Sequence, residues 1–204
     1  MRKYRMIFIL LVFLIASYSL VIARNSKGLK TSYSHQSLKV EEIEKTVLSA
    51  VDQLKKGNLE QAITLLSEAI MMIQNSQELH IRKVLLCTSI QGFRDYKNKN
   101  SNVLQAGEPF LLYIEPAGYQ IAKEDNEYKI WIIEDAKIVN EKGKTVFEKT
   151  DWVSYNKGFP NPNIPFYITN RVADIPVGKY KFIFTLKDKY KKTFLTESFE
   201  FRVE

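Results

Sequence analysis

The sequence predicts an α+β chain: an N-terminal helical hairpin followed by an antiparallel β-sandwich. Apolar residues recur three and four apart between Leu38 and Ile73, the period of an amphipathic helix. Beyond Ile81 the period shortens to two, and turn residues interrupt it roughly every ten positions, as in an all-β domain.

At 204 residues, 45% of them apolar, the chain is long enough to bury a core and too apolar to be wholly disordered. Arg2, Lys3 and Arg5 precede an uncharged run from Met6 to Ala23, and Val21-Ile22-Ala23 suits a signal-peptidase cut. Residues 1–23 therefore read as a signal peptide or membrane anchor, with cleavage and export to a periplasmic or extracellular space the expectation. Membrane contact is expected only if that segment stays uncleaved. The formal charge of +7 is scattered. Lys187, Lys189, Lys191 and Lys192 cluster in an expected turn, where solvated lysines are ordinary, so nucleic acid is not an expected partner. The lone cysteine, Cys87, lies among Val84, Leu85 and Leu86 and reads as packing.

Residues 24–37 mix Ser, Lys, Asn, Gln and Gly and read as a flexible linker. From Leu38 the helical period takes over. Val40, Ile43, Val47, Val51 and Leu54 share one face, and Gly57 is placed to cap the helix in the left-handed conformation. Asn58, with Gln61 three residues on, has capping-box spacing, and Leu59, Ala62, Ile63, Leu66, Ala69, Ile70 and Ile73 form the stripe of a second helix. Residues 38–75 are thus a helical hairpin. The run Gly57-Asn58-Leu59-Glu60-Gln61-Ala62-Ile63 with Leu66 and Ala69 resembles the turn and second helix of a tetratricopeptide repeat. The resemblance implies small residues at Ala62 and Ala69 where paired helices approach. One hairpin cannot bury its own face, so its stripe is expected to pack on a neighbour or on a partner.

Residues 81–204 are the sandwich. A strand is expected from about Lys83 to Gln91, and Gly92 to Gln105 reads as a polar connection. Further strands are expected at Glu108 to Glu115, Glu127 to Ile133, Lys137 to Val139, Lys144 to Phe147, Trp152 to Tyr155 and Pro165 to Val172. Glu141-Lys142-Gly143 is a hairpin signal because glycine accepts positive φ. The last pair is the clearest. Tyr180, Phe182, Phe184 and Leu186 alternate with polar neighbours, Asp188 to Lys192 turns the chain, and Phe199, Phe201 and Val203 alternate again.

Ile175-Pro176-Val177-Gly178-Lys179-Tyr180 resembles the tyrosine corner of immunoglobulin-like sandwiches. The resemblance implies a hydroxyl hydrogen-bonded to the preceding corner. With Ala106-Gly107-Glu108-Pro109-Phe110-Leu111-Leu112-Tyr113 and Pro165-Phe166-Tyr167-Ile168, the region looks like the C-terminal domain of uncharacterised exported bacterial proteins. That likeness implies fold and compartment.

Among candidate sites, residues 152–167 combine aromatic rings with three prolines, which would hold an extended, stiff loop. Trp152, Tyr155, Phe159 and Tyr167 are the candidate ligand-binding residues. Glu134-Asp135 reads as a solvated turn or, alternatively, as paired carboxylates of an envelope hydrolase acting on polysaccharide or peptide. No catalytic residue, metal ligand or cofactor is expected: His35 and His80 stand alone, and no glycine-flanked serine elbow occurs. The functional expectation is a non-catalytic exported binding or assembly protein with an envelope protein or glycan as partner.

Overall fold

The computed structural model describes residues 32–204, with side chains from residue 40 onward. The expected signal segment and most of the linker lie outside the described residues. The chain divides into two compact units, Met1–Glu42 and Ile43–Glu204. Of the first, only the start of a helix is described; both sheets and their core belong to the second.

Helix α1 (Ser32–Lys55) begins inside the segment expected to be a linker. No glycine or proline lies between Ser32 and Leu38 to stop the helix from extending backwards. Helix α2 (Leu59–Ser76) follows after a tight turn in which Gly57 takes φ +81°, the left-handed cap that the sequence indicated. Asn58 does not complete a capping box. Its side chain makes no hydrogen bond to the α2 backbone, and its Nδ2 donates back to Gln53 Oε1 at 2.8 Å. Ala50, Ala62 and Ala69 are buried where the helices meet, and the Thr46 hydroxyl approaches Met72 Sδ at 3.9 Å.

Ten strands follow among the described residues: β1 (His80–Gly92), β2 (Asp95–Asn98), β3 (Val103–Leu104), β4 (Phe110–Ala117), β5 (Ala122–Glu124), β6 (Glu127–Asn140), β7 (Thr145–Phe159), β8 (Ile168–Val172), β9 (Gly178–Asp188) and β10 (Thr193–Val203). They form two mostly antiparallel sheets. One has the order β2-β1-β4-β8; the other runs β3-β10-β9-β6, with β5 and β7 also paired to β6. The single parallel pairing is β3 with β10, only two residues long.

Alternation makes both sheets one-sided, so they close over one apolar core. Leu86, Leu112 and Ile114 come from the first sheet, and Ile130, Ile132, Ile138, Phe182 and Phe184 from the second. The Phe110 ring bridges them, 5.1 Å from Phe182 and 4.5 Å from Phe201. At the corner before β9, the Tyr180 hydroxyl donates to the Pro176 carbonyl at 2.8 Å, the bond implied by the tyrosine-corner resemblance.

Three expectations about strands are corrected. The two short strands expected on either side of residues 134–136 are one continuous β6, and those expected around 148–151 are one β7. The polar residues between them are accommodated because β7 bulges, with Asp151 at φ +50° and a register shift opposite Glu134 and Ala136. The connection expected at residues 92–105 contains β2 and β3, whose short pairings leave too few residues to show a period.

Helix α2 is tied to the sheets by its polar side. Glu68 accepts from Lys123 Nζ at 2.9 Å, and Asn75 exchanges two hydrogen bonds with the Ile121 backbone at 2.8 and 2.9 Å. Met71 adds an apolar contact to the core. At the C-terminal end of α2 the Lys191 ammonium donates to the carbonyls of Asn75, Gln77 and Gly118, a cation where the helix dipole favours one. Gly118 must be glycine: at φ +69° an added Cβ would lie 2.0 Å from the Glu78 carbonyl oxygen.

Candidate functional site

On the outer face of the first sheet, β4 directs Tyr113 and Glu115 away from the core, yet both are buried. The cover comes from the β1–β2 turn and from Tyr167. Tyr113 stacks on Tyr167 and packs against the tilted Tyr96 ring on its other side, with ring centroids 5.4 and 4.6 Å away. Arg94, held at φ +59° in the turn, donates its backbone N–H to the Tyr113 hydroxyl at 3.2 Å and folds its guanidinium onto Glu115. Two bonds join them, Nη2 to Oε1 at 2.7 Å and Nε to Oε2 at 3.4 Å. Arg82 Nη1 reaches the same Oε1 at 3.2 Å, and the Tyr113 hydroxyl donates to Oε2 at 3.3 Å.

One carboxylate is therefore shared by two guanidiniums, which leaves one unit of positive charge uncompensated. The Arg94 bond, more than burial can offset, holds the Glu115 carboxyl below its ordinary value, so it stays ionised. Both arginine side chains remain about half exposed, at 50% and 54%. Beside them opens a cavity of about 350 Å³, walled by Gln74, Tyr119, Asn163 and Phe166. Gln74 acts on the Tyr119 hydroxyl, yet its buried Nε2 makes no hydrogen bond of ordinary geometry. Burial pushes the Tyr119 phenol up to about 12, and desolvation also raises Tyr113, so both phenols remain neutral at physiological pH. With the carboxylate locked as an anion and the phenols as neutral donors, the pocket lacks a group poised to exchange a proton near neutrality. It offers binding chemistry: guanidinium N–H groups for an anion, against an aromatic wall.

A larger trough of about 600 Å³ lies along β9 and β10. Of the charges that line it, Lys181 pairs with Glu200 at 3.0 Å, and Arg202 pairs with Glu204 outside it at 2.8 Å, so volume alone does not make it the better site.

The four rings singled out by sequence do not converge. The segment 152–167 is not one stiff loop: through Phe159 it is strand β7, paired along β6, and only the residues after it are irregular. Trp152 is half-buried against Phe147 at 4.9 Å and faces Phe182 at 6.4 Å. Tyr155 packs on Phe166 at 4.7 Å, and Phe159 stacks 6.5 Å from Tyr155. Only Tyr167 joins the arginine cluster. Pairing with β6 turned the other three toward the core.

Glu134 and Asp135 do not form a carboxylate pair. As neighbours on β6 they point to opposite faces. Glu134 is fully buried, with Oε1 accepting from Asn170 Nδ2 at 2.8 Å across the two sheets. Burial, more than the Asn170 bond can offset, pushes its carboxyl up to about 7, and Asp135 adds to the rise. Glu134 Oε2 and Asn170 Oδ1 are both buried acceptors without a partner, so a protonated carboxyl supplies the donor this pair lacks. Asp135 lies on the outer face. Partial burial favours its neutral form, but the Asp151 backbone N–H and Lys187, 2.6 Å away, outweigh it and hold the carboxyl below its usual range.

Sequence reasoning missed Arg82, Arg94 and Glu115. They come from two strands and a turn, with no characteristic spacing, and only strand pairing joins them. For Glu134 a signal did exist: extending the alternation of Ile130 and Ile132 puts it in the inward row.

No group of His, Cys, Asp and Glu suited to a metal ion occurs among the described residues. Nor is any described helix long and apolar enough to cross a membrane. No protein-family model matches the chain, and no curated protein does. Among solved structures, a superoxide reductase (neelaredoxin) from Ignicoccus hospitalis aligns with 61% of this chain and 82% of its own at 14% identity, with a TM-score of 0.30. A Northeast Structural Genomics Consortium target aligns with 62% of this chain and 85% of its own at 15% identity, with a TM-score of 0.28.

Proposed function

We propose that this chain is an exported, non-catalytic binding protein that recognises a carboxylate presented by a protein partner in the cell envelope, on an immunoglobulin-like β-sandwich. The observation that carries the binding site is the 2:1 ratio of guanidiniums to carboxylate at Arg82, Arg94 and Glu115, beside a cavity walled by Gln74 and Tyr119. Arg82 spends one N–H on Glu115, so a planar bidentate anion is the ligand it suits best. A cavity of about 350 Å³ fits one acidic side chain or a chain terminus. The Tyr180 corner bond supports the immunoglobulin-like reading. Export rests on Arg2, Lys3 and Arg5 ahead of the uncharged run 6–23.

Calorimetric titration tests the site with an aspartate- and glutamate-rich peptide against its amidated analogue. The acidic peptide should bind and the amide should not. Arg82→Gln leaves Arg94 on Glu115, so the fold persists while affinity falls about 10-fold or more. Equal binding of both peptides, or an unaffected Arg82→Gln chain, would reject the reading. Binding of uronic-acid oligosaccharides instead would move the ligand class to glycans.

A further inference from the structure

The stripe of α2 faces solvent: Leu59, Ile63, Leu66, Ile70 and Ile73 are 38–62% exposed, and Leu48 of α1 is 58% exposed. In the β-rich part comparable exposure falls on Val146 of β7, Val177 in the connection before β9 and Phe194 of β10, which do not adjoin in sequence. Helical periodicity sets Leu54 of α1, 46% exposed, on the same side of the hairpin as the stripe of α2, because both lie within about 100° in the same sense around from the buried line of Ala50, Ala62 and Ala69, with Leu48 at the outer edge of that side. The result is one continuous apolar face, of the kind that marks an interaction site.

We propose that this face is the self-interface of a homodimer, in which the hairpins of two copies pack into a four-helix arrangement. Three features of the face select a second copy as occupant. The first is area. At roughly 90 Å² for each half-exposed Leu or Ile, the face offers on the order of 600 Å² per copy, so a symmetric pair buries about 1,200 Å², the lower end of the range for a stable interface. The second is charge. Glu44 and Lys55 flank the α1 shoulder toward opposite ends, both exposed, and neither makes an ion pair among the described residues. A two-fold axis between them sets Glu44 of each copy against Lys55 of the other, so the surface complements itself. The third concerns the α2 part of the face. Helix α2 carries no lysine or arginine, the residues that hold an interfacial helix on a lipid surface. One hairpin leaves uncovered the side on which stacked helical repeats receive their neighbour, and a second copy supplies that neighbour.

Sedimentation equilibrium of the full chain should show a dimer. The exposed-site substitutions Ile63→Glu and Ile70→Glu should weaken it by at least about 10-fold, with the helix content and melting of dilute protein unchanged. Glu44→Lys should weaken it too, and adding Lys55→Glu should restore it. In mixed preparations, Glu44→Cys chains should form disulfides with Lys55→Cys chains far more readily than either forms with itself. A chain monomeric at high concentration, a dimer indifferent to the helix substitutions, or a monomer that binds zwitterionic vesicles through this face would overturn the proposal. Arg82→Gln should leave dimerisation untouched, so the carboxylate site and the dimer stand or fall separately.

Discussion

In β9, Tyr180, Phe182, Phe184 and Leu186 all reach the core and are at most 8% exposed. In α2, by contrast, five large apolar residues of an equally regular stripe face solvent and only Ala62 and Ala69 are covered. Both patterns are amphipathic, and both predict which residues share a face. They differ in where the matching surface lies. For β9 the opposing sheet is in the same chain. For α2 the contacts with the β-rich part run mainly through Glu68 and Asn75, with Met71 adding one apolar contact, so the rest of the apolar side turns away. An amphipathic period specifies a face that needs covering, and it leaves open what covers it.

The largest effect expected from this contrast is in the core. Phe182→Ala removes a fully buried ring between the sheets and should cost about 3–5 kcal/mol in urea unfolding. A loss below about 1 kcal/mol would mean that the sheets do not clamp as described.

Glu134 sharpens the contrast by putting an ionisable group into the covered face. Its carboxyl rises from 4.5 to about 7, so the folded chain keeps a proton that the unfolded chain releases. Stability should therefore fall as pH rises from about 4.5 to about 7, by about 3 kcal/mol, and stay low above that. Glu134→Gln should flatten the fall and be the more stable chain at pH 8. A wild-type profile flat across this range would show that Glu134 reaches water.

Smaller still is the tie between the two regions. Lys191→Met removes the cation from three carbonyls at the end of α2 and should cost about 1–2 kcal/mol. Hydrogen exchange should speed up in the last turn of α2 first; uniform loss of protection would speak against a local tie.

The smallest effect belongs to the uncovered face. In dilute protein Ile63→Ala or Ile70→Ala should change stability by no more than about 0.5 kcal/mol. A loss above about 2 kcal/mol at that dilution would break the comparison, because the stripe would then be covered within its own chain.

Much of the frame was legible from neighbouring residues. The hairpin of β9 and β10, the Gly57 cap, the left-handed Gly143 turn and the Tyr180 corner each depend on residues close in the chain, and each occurs where the sequence indicated. The candidate site was not legible, because Arg82 and Glu115 lie 33 residues apart and meet only through the register of β1 with β4. The placement of the aromatic residues of β7 was hidden for the same reason: pairing with β6, invisible in their spacing, laid them along a strand, partly buried against the core.

By itself, then, the sequence determined the α+β class and, within an element, which residues share a face, since periodicity and turn chemistry are local. The tertiary structure alone decided that Glu134 would be buried, that two guanidiniums would share Glu115, and that the α2 stripe would be left outward. Those outcomes depend on strand register and on the polar ties of α2, and both join residues that no local pattern relates.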